Sequence, residues 1–192
     1  MMTLEDAIKR ANIILPEHKS EFTSYLQKLP QGIEKWLYGT PDNPNSLYQG
    51  DILIDLPVCF VNEAGDVVKG IDYVAMISNA CDMQPNRKET VIASPIVRFS
   101  EYEKHLRDTA EKGIDNKLMD IRYNKFFNRF YLPSNGDLQE SFIDFSKMVT
   151  FNSNYANSIY SQKRLLSLSQ HGFYFFLIKL TFHFARMEYP YS

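Results

Sequence analysis

The sequence predicts one α+β domain, in which a small, mostly antiparallel β-barrel is flanked by N- and C-terminal helices. A length of 192 residues suits a single domain spanning 1–192. Apolar residues recur at helical spacing towards both ends of the chain, and short strand-like runs joined by turns fill the middle. A composition of 44% hydrophobic and 23% charged residues excludes a disordered or low-complexity protein.

The N-terminal segment, residues 1–40, is predicted to be helical. Apolar residues between Leu4 and Leu15 follow helical spacing, and Pro16 ends that helix because it cannot donate a backbone hydrogen bond. A second helix fits Glu17–Leu29, and the Pro-Gln-Gly sequence that follows ends it.

Residues 50–151 are predicted to form the barrel, with a helical insertion at about 100–118. The turn at residues 62–66 separates the first two strands, and Pro57 indicates an edge, a bulge or a bend in the first one. Six strand-like runs are predicted, at residues 51–61, 67–78, 90–97, 121–132, 138–145 and 148–151.

Helices are predicted again at residues 155–187. The first includes Tyr160–Leu166 and the last covers Phe173–Met187. The most apolar stretch of the chain lies in the last helix, is interrupted by Lys179 and His183, and is shorter than the roughly 20 residues needed to span a bilayer. We therefore expect a packed helix and no membrane partner.

Charge and cysteine content predict a cytoplasmic protein with reduced thiols. The start, Met1–Asp6, is acidic where a signal peptide would be basic, and two cysteines do not form a disulfide framework. The formal net charge of −2 gives no overall attraction to nucleic acid. Residues 1–120 carry 13 Lys and Arg against 19 Asp and Glu, whereas residues 121–192 carry 8 against 4. Two surfaces with different partners and ordinary scatter both explain this difference.

The run Arg122–Tyr131 combines three basic and five aromatic residues and contains no acid. Such a composition is typical of surfaces that bind single-stranded RNA through phosphates and base stacking. The candidate phosphate-binding cations are Arg122, Lys125 and Arg129. The candidate base-stacking rings are Tyr123 and Phe127. Arg87 and Lys88, in the polar loop at 79–88, are alternative cations. A core strand with one basic face gives the same pattern, so both interpretations stay open.

Asn79, Cys81 and Asp82 follow an apolar strand and are predicted to form a turn at the rim of the site. A nucleophilic Cys81 would need a nearby cation, and the adjacent Asp82 opposes thiolate formation. A structural turn is the other interpretation. The four histidines and two cysteines show no C-x-x-C, H-x-x-H or H-E-x-x-H spacing, so the sequence predicts no metal and no cofactor.

The order of strand sequences over residues 50–151 resembles the MazF/PemK toxin family. The matching strings are Gly50-Asp51-Ile52-Leu53, Tyr73–Ser78, Val91–Ile96 and Ser141–Phe145, the last followed by Thr150. The resemblance implies an SH3-like barrel of a family that cleaves single-stranded RNA without metal. The family's catalytic arginine would fall within Gly70–Tyr73, which contains no arginine. Val97 occupies the position where the family has a hydroxyl residue, and Ser94 is nearby.

The resemblance implies a toxin-like or accessory component of a prokaryotic toxin–antitoxin or antiviral defence system that contacts single-stranded RNA or a partner protein. Whether the chain is an enzyme stays open, because a degenerate metal-independent endoribonuclease would lack the family's catalytic pair. The alternative is a non-catalytic protein-interaction module that acts as a subunit of a larger complex, as a homodimer or in a hetero-complex.

Overall fold

A computed structural model describes residues 14–184 and contains α-helices and an antiparallel sheet. The helices are α1 (Pro16–Gln27), α2 (Phe99–Asp108), α3 (Ile114–Arg122), α4 (Ser153–Lys163) and α5 (Gln170–Phe184). Short 3₁₀ turns occupy Ile33–Lys35 and Phe145–Lys147. The helix predicted between Leu4 and Leu15 falls, apart from its last two residues, outside the described residues, and so do residues 185–187 of the predicted last helix.

Eight strands in this range pair in one antiparallel sheet. They are β1 (Tyr38–Gly39), β2 (Ile52–Val61), β3 (Val67–Met76), β4 (Thr90–Arg98), β5 (Arg129–Leu132), β6 (Ser141–Asp144), β7 (Val149–Asn152) and β8 (Arg164–Leu168). The order is β1-β8-β2-β3-β4-β6-β5, with β7 also paired to β4. The α+β class with an antiparallel sheet is therefore confirmed. A closed SH3-like barrel is not confirmed, because the sheet is open, with β1 and β5 at its two ends.

Strand β4 changes partners along its length and thereby divides the core. Residues 90–93 pair with β7 and residues 96–98 pair with β6. One apolar cluster, rich in phenylalanine, packs α1 and α5 against β5 and β6, and Phe130, Phe175 and Phe176 are fully buried in it. A smaller cluster lies under the other half of the sheet around Leu53 and Val74.

The prediction of a strand at 121–132 is wrong for most of these residues. Helix α3 continues to Arg122, and β5 begins only at Arg129. Ile121 is buried on the helix, so its apolar character serves helical packing. The intervening turn is held by the Lys179 ammonium, which donates hydrogen bonds to the carbonyl oxygens of Asn124 and Phe126.

The helix predicted through Tyr160–Leu166 ends earlier than expected. Asn152 caps the start of α4 by accepting hydrogen bonds from the backbone N–H groups of Asn154 and Tyr155, and the helix ends at Lys163. Residues 164–168 are instead strand β8, paired with β1 and β2. The apolar spacing of this segment fits a helix, but sheet hydrogen bonds and a buried ion pair select the strand.

That ion pair joins Asp51, at the start of β2, to Arg164, at the start of β8. The Asp51 side chain is buried, and its Oδ2 lies 3.0 Å from Arg164 Nε. Ser167 Oγ donates to Asp51 Oδ1 at 2.6 Å, and the Tyr48 N–H donates to Oδ2 at 2.8 Å. Burial raises the pKa of Asp51, while Ser167, Tyr48 and Arg164 oppose that rise.

Helix α5 starts in close contact with the backbone that precedes β1. The Ser169 N–H donates to the Leu37 carbonyl oxygen at 2.9 Å, and Gly172 N donates to Ser169 Oγ at 3.0 Å. A Cβ on Gly172 would lie 2.1 Å from the Leu37 carbonyl oxygen, so only glycine fits there. Within residues 14–184, no helix combines the length and apolar character that crossing a membrane requires.

We predict that Gly172→Ala lowers the free energy of unfolding by about 1–3 kcal/mol or more, because backbone atoms must move to admit the methyl group. Gly70→Ala is the control, since its Cβ would meet only Val58 Cγ2 at 3.8 Å, an ordinary contact. Urea unfolding at constant m-value measures both changes. Equal stability of the two variants would contradict the close approach of α5 to Leu37.

Candidate functional site

The distal halves of β2 and β3 form a two-stranded arm, which we define as Pro57–Ile71. Strand β2 pairs with β8 only at Ile52 and Leu53, and β3 pairs with β4 only at Val74–Met76. Over the length of the arm the two strands pair only with each other among the described residues. Both outer edges therefore carry backbone N–H and C=O groups that no neighbouring strand uses.

A β-bulge separates the arm from the sheet. The register shifts between Leu53 and Leu56, and Asp55 adopts a left-handed conformation with φ 54°. Bulges bend a strand and increase its twist, so the arm changes direction at this point. Lys163 Nζ lies 3.1 Å from Asp55 Oδ2 and ties the bulge to the end of α4. The irregularity that the sequence predicts near Pro57 is centred two to three residues earlier.

The arm carries mostly apolar side chains on both of its faces, and Lys69 is its one charged residue outside the turn. Phe60 and Val68 are opposite each other on one face, and the pair Val61 and Val67 lies on the other. Val61 and Val67 are 65% and 63% exposed, and Ile71, which shares their face, is 74% exposed. An isolated two-stranded hairpin is at best marginally stable in water, and exposed apolar patches mark interaction sites.

The turn at the tip of the arm is hydrogen-bonded and acidic. Asn62 Oδ1 accepts hydrogen bonds from the backbone N–H groups of Ala64 at 3.0 Å and Asp66 at 2.8 Å. Gly65 supplies the positive φ of 85° that the turn requires. Glu63 and Asp66 are exposed and join none of the ion pairs found in residues 14–184, so their charges face solvent.

Arg122, predicted to bind phosphate, is held by an internal carboxylate. Its Nε and Nη2 donate to the two carboxylate oxygens of Glu140 at 2.7 and 2.9 Å. The Arg122 guanidinium also lies over the Phe99 ring, 4.9 Å from its centroid. Arg122 is the main reason that the pKa of Glu140 lies below its ordinary value. A phosphate would have to displace this bidentate pair.

The other two predicted cations are also engaged. The Arg129 guanidinium lies over the rings of Tyr102, Phe126 and Phe142 at 4.7, 5.1 and 5.0 Å, and its Nη1 donates to the Tyr102 hydroxyl. Lys125 Nζ lies 2.7 Å from Asp120 Oδ1. The basic face of a core strand, on which Lys125 and Arg129 would lie together, does not form, because Arg122 ends a helix, Lys125 lies in a turn and Arg129 begins a strand.

The predicted stacking residues differ in their accessibility. Tyr123 follows α3, is 37% exposed, and has Lys125 Nζ 5.5 Å from its ring centroid. Phe127 packs against Phe182 of α5 with ring centroids 5.9 Å apart. Tyr123 thus keeps an accessible ring, whereas Phe127 packs the turn that precedes β5 against α5.

Arg87 and Lys88 are exposed in the loop between β3 and β4. They border a shallow depression with residues 152–154, at the start of α4. Neither forms an ion pair with another described residue. The first N–H of α4 donates to the Glu89 carbonyl oxygen and the next two donate to Asn152 Oδ1, so the depression offers two cations beside Glu89 and no free helix terminus.

The turn at Asn79, Cys81 and Asp82 is organised by the Asn79 side chain. Asn79 Oδ1 accepts a hydrogen bond from the Cys81 N–H at 2.7 Å, and the Asp82 N–H donates to the Asn79 carbonyl oxygen at 3.0 Å. Cys81 is exposed, and the neighbouring Met83 is buried. These contacts favour the structural interpretation of the turn.

Lys179 is a buried titratable group to which the sequence analysis assigned no role. It is 2% exposed, and its Nζ donates to the Asn124 carbonyl oxygen at 2.7 Å and to that of Phe126. Burial lowers the pKa of Lys179 to about 7. A lysine within an apolar helix is the signal that could have indicated a buried cation.

One group of metal-ligating side chains converges in the described part of the chain, although the sequence predicts no metal. His18 and Glu21 of α1 and His171 of α5 each place a ligand atom within 4.8 Å of the others. The local signal is only the spacing of His18 and Glu21, three residues apart on one helix. His171 is remote in sequence, so no spacing motif could reveal it.

No family model and no curated protein sequence matches this chain. The resemblance to the MazF/PemK family therefore stays a prediction. The structure shows where two segments that were compared with the family lie. Residues 70–73 run from the arm into the sheet, and Ser94 is buried with its hydroxyl donated to the Asp144 carbonyl oxygen at 2.5 Å.

We predict that Arg129→Met lowers the free energy of unfolding by about 1–3 kcal/mol, because it removes a partly buried cation from three aromatic rings. Lys125→Met is the matched control. Its ion pair is exposed, so the expected change is within about 0.5 kcal/mol. Urea unfolding compares the two variants, and a similar loss in both would show that Arg129 is not a packing residue.

Lys179 should make stability depend on pH. Its pKa is about 7 in the folded protein and 10.5 as the ordinary value, so between these limits the unfolded chain binds a proton that the folded chain lacks. The free energy of unfolding should therefore rise with pH through this window and be independent of this group below it. Lys179→Met should remove the rise in urea unfolding measured from pH 7 to pH 9.5. Parallel profiles for the two proteins would contradict the assignment.

Proposed function

We propose that this chain is a protein-interaction module that acts as a subunit of a larger complex and binds its partner through the arm. The observation that carries the proposal is an arm that is mostly apolar on both faces and open along both edges. Val58 packs on the smaller core cluster, but Phe60, Val61, Val67 and Ile71 remain exposed in the described chain. A second polypeptide that covers them would remove exposed apolar surface from water.

The chemistry of the arm indicates the kind of partner. Its open edges can accept an extended segment that adds as a further strand, with backbone hydrogen bonds for affinity and apolar contacts for selectivity. Glu63 and Asp66 at the tip favour basic residues on the partner near the turn. The proposed partner is therefore a protein with an extended, apolar segment flanked by lysine or arginine.

Contact with RNA is the second candidate, and it is favoured by the alternative cations, Arg87 and Lys88, rather than by the run at 122–131. Arg122, Lys125 and Arg129 already have internal partners, whereas Arg87 and Lys88 are exposed and outside the ion pairs of the described residues. A toxin-like or accessory component that contacts RNA would use these two cations. Two cations on a shallow surface support weaker contact than the apolar arm supports.

A photo-crosslinking amino acid at Ile71 tests the first candidate in the organism that makes this protein. We expect a discrete adduct with one protein from position 71, and none from the control position Lys104, which is exposed on α2. The double variant Val67→Ser, Ile71→Ser should weaken binding to the purified partner by at least about tenfold. Both side chains are mostly exposed, so the variant should remain folded.

The adduct distinguishes the candidates. An adduct with twice the mass of the chain would identify a second copy as the partner. The absence of a discrete protein adduct at position 71, together with a nuclease-sensitive adduct at position 88, would overturn the proposal and favour RNA contact. Full binding by the double variant would also overturn it.

A further inference from the structure

The convergence of His18, Glu21 and His171 is built on two well-anchored elements. Helix α1 is fixed in the aromatic core by Phe22, which is fully buried. The start of α5 is fixed at the Leu37 backbone by the contacts of Ser169 and Gly172. His18 and Glu21 are three residues apart and therefore share one face of α1. The three side chains meet because two rigid helices are held together beside them.

The distances suit a single metal ion. His171 Nε2 lies 3.5 Å from Glu21 Oε2, and all three ligand atoms lie within 4.8 Å of one another. A tetrahedral zinc ion with bonds of about 2.0–2.2 Å separates its ligand atoms by about 3.3–3.6 Å. The His171–Glu21 pair is already at this separation. The remaining ligand atom, that of His18, lies within 4.8 Å of both, so it would have to move by at most about 1.5 Å to reach the same separation.

His171 Nε2 has an unmet requirement that a metal would satisfy. This nitrogen is buried and makes no hydrogen bond of acceptable geometry, although the Glu21 carboxylate is close. Buried polar atoms in folded proteins nearly always have a partner. The His171 ring is held in place by Phe22, which stacks on it at 6.3 Å, and by edge contacts with Tyr25 and His18 at 5.3 and 5.5 Å.

The carboxylate of Glu21 is also oriented. The Tyr25 hydroxyl donates a hydrogen bond to Glu21 Oε1 at 2.5 Å, so Oε2 is the oxygen directed at His171. Ligand carboxylates in metal sites are commonly oriented by such an outer hydrogen bond. The alternative is a histidine–glutamate contact with His18 packed on the rings of His171 and Tyr174, but that account leaves the buried His171 Nε2 without a hydrogen bond.

We infer that His18, Glu21 and His171 form a Zn²⁺ site that links α1 to α5, with one coordination position left for water. Two imidazoles and one carboxylate are a ligand set that suits zinc, and three protein ligands leave the fourth tetrahedral position open. The site lies on different elements from the arm, so it does not depend on the proposed binding of a partner.

Zinc titration of the purified full-length chain, after treatment with a chelator, tests the inference. Isothermal titration calorimetry should give one Zn²⁺ per chain with a Kd of roughly 1 µM or below. Free Zn²⁺ at about 100 times the Kd should raise the Tm by about 5–10 °C. Co²⁺ in place of Zn²⁺ should give the visible absorption of a tetrahedral site. Binding of much less than one equivalent would overturn the inference.

Matched variants locate the ion. His18→Gln and His171→Gln should each weaken Zn²⁺ binding by at least about tenfold, and Tyr25→Phe should weaken it by about tenfold while keeping one equivalent. His18 is partly exposed, so its variant should fold even if His171→Gln disturbs the core. His105→Gln, on α2, and the double variant Cys59→Ser, Cys81→Ser should bind Zn²⁺ normally. Loss of binding in these controls, or unchanged affinity in both histidine variants of the cluster, would overturn the site.

Discussion

The buried ion pair between Asp51 and Arg164 is the constraint on which the arrangement of the sheet depends. Removing two charges from water is costly, and breaking such a pair by deleting one partner typically costs about 3–5 kcal/mol. The charges are tolerated because Ser167 and the Tyr48 backbone supply further hydrogen bonds to the carboxylate. This network fixes the start of β2 against the start of β8. The arm continues from β2, and α5 follows β8, so both proposed sites extend from strands that the same pair holds.

Apolar residues are buried in the rest of the domain but exposed in the arm. Outside the arm, phenylalanine side chains from α1, α5, β5 and β6 pack in a continuous core. In the arm, Phe60, Val61 and Ile71 are exposed, because two strands without a covering layer cannot bury either face. Strand length has a direct consequence here. Strands β2 and β3 each extend well beyond their pairing with β8 and β4, and the extension is mostly apolar, with Lys69 its one charged residue outside the turn.

The basic and aromatic residues at 122–131 show why composition alone did not locate a binding surface. Cations beside aromatic rings are typical of RNA-binding surfaces, but Arg129 satisfies the same preference inside the protein, over Tyr102 and two phenylalanines. Arg122 is likewise paired with Glu140, which lies 18 residues further along the chain. The metal-ligating cluster is the converse case, because His18 and His171 have no joint pattern in the sequence and meet only in the fold.

Local sequence determined the α+β class, helices α1 and α5, strands β2 to β4 and the turn at 62–66, because helical periodicity, alternation and turn-forming residues act over a few positions. It misassigned residues 164–166 as helix and most of 121–128 as strand. Those segments are decided by partners far away in the chain, Asp51 for the first and Lys179 for the second. The tertiary structure alone decided which cations are internally paired, which apolar residues are exposed and which histidines meet, since each depends on contacts between elements rather than within them.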